Sequence, residues 1–485
     1  MRMPFTLAAV AVLACLTPRA APSQTDTTLK LSTTVPQASA EFRAGVNDWQ
    51  NLSFESSATH FNAASRADPN FGLARVMHGF VGNFAGEMTR AQAEAEINRG
   101  IADAAARGNT NELLLAAAYR ASFQNNPRAA TEIFDAASNL MPSDKLVAAN
   151  AIGAGSVGAA PNTFLPSLRE FIAKNPDYAP AYNTYAYTLW NNGDRAGALA
   201  AAKKQVELNP NAPNPHDTYA EILQWNGNFP EATAEYRRAT TTPPRFPGSY
   251  SGMAEVEALQ GHYDQARAYL RQAADAAWMP RQKLFNMYEI AASYALQGVP
   301  TDTLIRQLDA VVAEARAQQD LESAAVSLSM KAPTYATANN VAAAHKAIAD
   351  AKAVSSPEPW QVNYFATMAH ALMKHWGPAN QELATMKQKT TDDQGARRTL
   401  VAAAEGNLAT QQGHPADALK TLMAADTTDI SVMNRVAEAH AALGHSAEAN
   451  RWYGKISNNF ALNLGNFPEV NARRRTRLAT TGGKR

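Results

Sequence analysis

Asn192-Gly193-Asp194-Arg195, Asn226-Gly227-Asn228-Phe229 and Gln260-Gly261-His262-Tyr263 are three copies of one local frame, with their glycines 34 residues apart. An alanine follows five residues after each glycine, at Ala198, Ala232 and Ala266. A fixed period of this length is how a stack of helical hairpins is written in sequence, because each unit buries its apolar face only against its neighbours. In the unit that begins at Ala179, the residues Tyr182, Tyr185, Ala186 and Leu189 recur at helical spacing and mark a buried stripe. Gly193 closes that helix, where a left-handed residue without a Cβ costs least. A second helix carries Ala198 and Ala202, and Pro210 stops it. The next unit repeats the scheme with His216, Tyr219, Ala220, Leu223, Ala232, Tyr236, Ala239 and Pro244. The third has Tyr250, Met253, Ala254, Ala266, Leu270 and Ala273. Small residues beside bulky ones let paired helices approach closely.

This alternation, with an inter-helix Gly followed by Asp or Asn, an Ala five further on and a closing Pro, resembles the tetratricopeptide repeat. The resemblance is clearest over 179–212, 213–246 and 247–280. It implies an all-α fold, a right-handed α-α superhelix of stacked hairpins whose concave groove binds protein or peptide. Three positions depart from the pattern: Glu257 for an apolar residue, Gln205 for a small one and Trp278 for the proline. Weaker copies run outward through Gly45, Phe61, Ala64 and Pro69, and through Gly298, Gly413 and Gly444. Residues 70–110 and 310–395 fall out of phase and are expected to be degenerate or lengthened hairpins. From Glu41 to about Gly465 the family period allows roughly a dozen repeats.

Composition is consistent with close helix packing: 46% of the chain is hydrophobic and only 8% aromatic. No long alternation of Val, Ile and Thr predicts a sheet. At the amino end, Arg2 precedes an apolar run from Phe5 to Leu16, and Ala21-Pro22-Ser23 reads as a small-residue cleavage site. Residues 1–23 are therefore expected to be a signal peptide, too short in its apolar part to span a bilayer. The chain is expected to be exported, periplasmic or secreted, and bacterial. Val12-Leu13-Ala14-Cys15 resembles a lipoprotein box, so Cys15 is a candidate for lipid anchoring. Residues 24–40, rich in Thr, Ser and Gln, are expected to be a disordered lead-in.

Cys15 is the only cysteine, so a chain cleaved after Ser23 carries neither disulfide nor cysteine ligand. Its 42 bases and 43 acids leave it near neutrality, which argues against non-specific nucleic-acid binding. No later segment reads as membrane-spanning. Gly153-Ala154-Gly155-Ser156-Val157-Gly158 matches a dinucleotide fingerprint, but it follows a helical stretch where that motif needs a strand. No cofactor is expected. The closest histidine pairs, His370/His375 and His440/His445, are five apart, a spacing that diverges on a helix, so no metal is expected. No nucleophile elbow or phosphate-binding loop occurs, so no catalytic residue is assigned. Residues 466–485, with Arg473, Arg474, Arg475 and Arg477, read as a basic tail or a solvated capping helix.

The free stripe of each first helix, offset from the packed one, is the candidate partner-binding groove. It reads Asn183, Tyr187 and Trp190, then Asp217, Glu221 and Trp225, then Ser251 and Glu255, with Tyr288 in the fourth unit. Aromatic anchors with carboxylates suit a protein or peptide with a basic or hydrophobic segment. The expected function is thus a non-enzymatic exported scaffold or adaptor. The competing expectation is an all-α carbohydrate-active hydrolase with a carboxylate pair such as Glu221 and Glu255.

Overall fold

The computed structural model describes residues 27–156, 161–243, 246–277, 279–391 and 396–480. Among them the chain forms 25 helices and no strand. Twelve successive hairpins run from Pro36–Gln50 paired with Phe54–Ala67 to Ile430–Ala442 paired with Ser446–Ser457, and the helix Phe467–Thr480 follows them. Each hairpin packs on the next, which makes an all-α solenoid.

The quoted frames form as the sequence requires. Gly193, Gly227 and Gly261 take φ of 83°, 82° and 83°. In each, the amide just before the second helix reaches back into the last turn of the first: Asp194 to the Leu189 carbonyl, Asn228 to Leu223 and His262 to Glu257, all at 2.9 Å. This wraps the carbonyls that the helix end would leave bare. Asp194 then caps the following helix, accepting from the Gly197 amide at 2.8 Å. Ala198, Ala202, Ala232, Ala239, Ala254, Ala266 and Ala273 are fully buried at the helix contacts. In the third of these units the approach is close at Gly252, where a Cβ would fall 2.3 Å from the Tyr236 ring.

The out-of-phase regions are lengthened hairpins. Arg90–Arg107 in the first region, and Thr301–Ala317 and Leu321–Thr337 reaching into the second, each exceed the helices of the central repeats. Within 310–395 the phase is further hidden because Gln319, Asn339 and Lys374 hold the left-handed turn in place of glycine, at φ of 57–59°. Glu257, out of pattern in sequence, pairs with His262 across its turn at 2.8 Å. Gly153 and Gly155 lie within the helix Lys145–Ser156, and Val157 and Gly158 lie outside the described residues.

Two expectations need correction. Residues 27–40 are not a disordered lead-in. Leu29 and Leu31 pack on the core around Phe42, Phe61 and Phe71, and residues from Pro36 onward are already helical. The Leu29 amide donates to Asp144 at 2.9 Å, and the Ser32 hydroxyl donates to the fully buried Glu112 at 2.7 Å. The polar composition serves these internal bonds. Nor is the arginine cluster a solvated tail. Arg473 is buried, donating to Glu469 at 2.7 Å and to the carbonyls of Asn459 and Ala461 at 2.7 and 3.0 Å. Arg477 donates to the Leu296 and Gln297 carbonyls at 2.8 and 2.9 Å, at the negative end of the helix Pro280–Gln297. The expected signal segment with Cys15, as well as Pro244 and Trp278, lies outside the described residues. No described helix is long and apolar enough to cross a membrane.

Candidate functional site

The nine stripe residues fall on four consecutive first helices, Ala179–Asn191, Pro213–Trp225, Gly248–Leu259 and Pro280–Gln297. None is fully exposed, and each is half-buried. They form a ladder from helix to helix rather than a row of free anchors. Asn183 donates to Thr218 at 2.7 Å, Tyr187 to Glu221 at 2.5 Å, Gln224 to Glu255 at 3.3 Å and Ser251 to Glu289 at 2.9 Å. The Ser249 hydroxyl donates to Asp217. Trp225 lies against Trp190 and Tyr187, with ring centroids 5.3 and 5.7 Å away, and the Arg195 guanidinium covers Trp190.

Sequence reasoning placed Tyr288 in the fourth unit and missed its neighbour Glu289. The signal was present: Glu221, Glu255 and Glu289 are spaced by the repeat period. With Asp217 they give four carboxyls on adjacent helices, and among the described residues no lysine or arginine forms an ion pair with any of them. Burial pushes Asp217 up to about 6 and Glu289 to about 7. Burial, reinforced by Asp217, pushes Glu221 to about 7. Glu255 is held well above the ordinary carboxyl range by burial, then by Glu289 and Glu221. The surrounding protein strips water from each group without supplying a cation.

The row's carboxyl-terminal half is covered by the chain itself, which the sequence did not indicate. Residues 459–463 run without helical structure along the face and lead into the helix Phe467–Thr480. The Leu464 amide donates to Glu255 at 3.2 Å, and Gln224 donates to the Phe460 carbonyl at 3.4 Å. Phe460 packs edge-on against Phe229 and sits 3.0 Å from where a Gly227 Cβ would be. Phe467, 2% exposed, meets Tyr288 and Phe365. Beside it opens a cleft of about 530 Å³ lined by Arg281, Tyr288, Trp360, Tyr364, Phe365 and Phe467. Phe285, 49% exposed, stands at its edge.

The histidine pairs also depart from expectation. His370 ends one helix and His375 caps the next, with Lys374 left-handed between them and the His375 amide bonded to the His370 carbonyl at 2.9 Å. A spacing of five across this turn brings side chains together, whereas along a continuous helix it separates them. His440 and His445 meet in the same way.

Residues 179–212 match the tetratricopeptide repeat family. No curated protein matches the chain. Similar solved structures include a thermophilic tetratricopeptide repeat protein of Thermus thermophilus, 19% identical, with a TM-score of 0.32 over 35% of this chain and 92% of that one. The MamA protein is 16% identical, with a TM-score of 0.29 over 35% and 92%. A tetratricopeptide repeat protein from Parabacteroides merdae is 12% identical, with a TM-score of 0.36 over 61% and 98%.

Proposed function

We propose, from the premise that this chain is a tetratricopeptide-repeat protein, that it binds an extended, basic segment of a partner protein along the amino-terminal half of the row, from Asn183 to Trp225. A helical-repeat scaffold of this kind serves protein interaction. The observation that carries the finer reading is the chain's own segment at 459–467. It lies on the face in non-helical form, gives a backbone amide to Glu255 and a carbonyl to Gln224, and seats Phe460 and Phe467 among aromatic rings. A surface that accepts one extended segment has the donors, acceptors and aromatic walls for another. Unpaired carboxyls at Asp217 and Glu221 favour lysine or arginine in the guest, since a cation would relieve their burial.

The test is titration of the chain with extended peptides of matched length, basic, neutral or acidic, followed by Trp190 and Trp225 fluorescence. The basic peptide is expected to bind tightest, and Asp217→Asn with Glu221→Gln to weaken it at least fivefold. Equal binding of basic and acidic peptides would sink the reading.

The hydrolase alternative finds less support. Both oxygens of Glu255 are engaged, one by Gln224 and one by Leu464, beneath the returning segment. Polysaccharide turnover that disappeared in Glu221→Gln would restore it. Export is part of the same proposal and rests on Arg2, the run Phe5–Leu16 and Ala21-Pro22-Ser23. The amino-terminal mass of envelope-derived protein tests it: a chain starting at Gln24 supports cleavage, and an acylated Cys15 supports an anchor.

A further inference from the structure

We infer that His345, His370 and His375 form a binding site for a divalent transition-metal ion such as Zn²⁺. The three residues come from three helices of two adjacent hairpins. His345 lies in Val341–Val354, His370 near the end of Trp360–Leu372, and His375 caps Trp376–Lys389. One ring nitrogen from each lies within 4.8 Å of the other two. The His345 Nε2 and His375 Nδ1 atoms are 3.2 Å apart. Zinc–nitrogen bonds of 2.0–2.1 Å at tetrahedral angles place ligand nitrogens roughly 3.4 Å apart, so His345 and His375 already stand near ligand spacing and the His370 ring, within 4.8 Å, closes on the ion by side-chain movement.

The rings are also available. His370 is buried, 8% exposed, and its Nδ1 has no hydrogen-bond partner. A ring nitrogen shielded from water without a partner is an unsatisfied polar atom, and the turn at Lys374 holds this ring against His375 while His345 meets it from the neighbouring hairpin. Three neutral imidazoles suit borderline ions such as Zn²⁺, Co²⁺ or Ni²⁺ over Ca²⁺ or Mg²⁺, which take oxygen ligands. His345 is exposed, so a fourth position opens to solvent. The ion would tie one hairpin to the next through side chains that otherwise make no covalent or ionic link.

A built-in comparison sits two hairpins on. His440 and His445 hold the positions of His370 and His375, with their Nδ1 atoms 3.5 Å apart. The residue six beyond the preceding left-handed turn is His345 in one case and Leu419 in the other. Among the described residues only the first cluster has three ligands.

The experiment uses tag-free full chain freed of metal with EDTA, titrated with Co²⁺ by visible absorption and with Zn²⁺ by calorimetry. The expected result is one ion per chain. Affinity is expected to fall at least tenfold in His345→Gln and in His375→Gln, and to hold within twofold in the His440→Gln, His445→Gln double variant. His345 is exposed and His375 half-buried, so these changes leave the core intact, which circular dichroism verifies. No binding at one equivalent overturns the inference. So does binding that survives the paired change of His345 and His375, or that depends on His440 and His445.

Discussion

Leu52 holds a left-handed backbone, φ 58°, with its side chain 39% exposed at the turn of the first hairpin. A Cβ in that region costs about 1 kcal/mol. Leu52→Gly is therefore expected to raise stability by up to about 1 kcal/mol, read as a higher urea midpoint. Gly261→Ala, at φ 83° with nothing near its added Cβ, is expected to lose about the same amount through strain alone. Gln205 makes a different case. It stands where the repeat wants a small residue, is 1% exposed, and leaves its Oε1 without a partner. Gln205→Met keeps the volume and removes the orphaned carbonyl, with an expected gain of about 1 kcal/mol in the same assay. These positions also mark what sequence could convey. Gly193, Gly227 and Gly261 announce the turn because glycine is the cheapest way to make it. Leu52, Asn339 and Lys374 make the same turn at a cost and leave no sign.

At the scale of one helix against the next, the carboxyl ladder sets the pH response. Asp217, Glu221, Glu255 and Glu289 hold their protons in the folded chain above the pH at which an unfolded chain releases them. Their contribution to stability is complete below about pH 4, where both states are protonated. It declines as pH rises and is lost as pH passes through the folded values, about 6 for Asp217 and about 7 for Glu221 and Glu289. Glu221→Gln and Glu289→Gln remain uncharged, so each variant should lose less stability than the parent between about pH 5 and about pH 8. Urea midpoints at both values measure it, and parallel slopes would mean that these groups do not titrate differently on folding. The candidate row was legible here in its phase, through Asn183, Asp217, Glu221 and Glu255 at the repeat spacing. Its bonding was not, because a helix period shows which residues share a face and not what a neighbouring helix presents to it.

For the whole molecule, the decisive contact joins distant parts of the chain. Phe467 at 2% exposure, the Arg477 bonds to Leu296 and Gln297, and the Leu464 bond to Glu255 all bridge long separations. Phe467→Ala is expected to weaken this docking by about 3–5 kcal/mol. Hydrogen exchange should then rise in Phe467–Thr480 and Pro280–Gln297 while the hairpins before residue 140 keep their protection, since each unit depends on its neighbours. Uniform change along the chain would contradict a local clamp. Nothing in the repeat period foretells such a return, because a period describes only adjacent units. That return also gives the protein an order in time. A chain made from its amino end has helices 213–297 in place long before residues 459–480 exist. For that interval Gln224, Glu255 and Tyr288 lack the cover that residues 460–467 later give them, and the seat is finished only when that segment arrives.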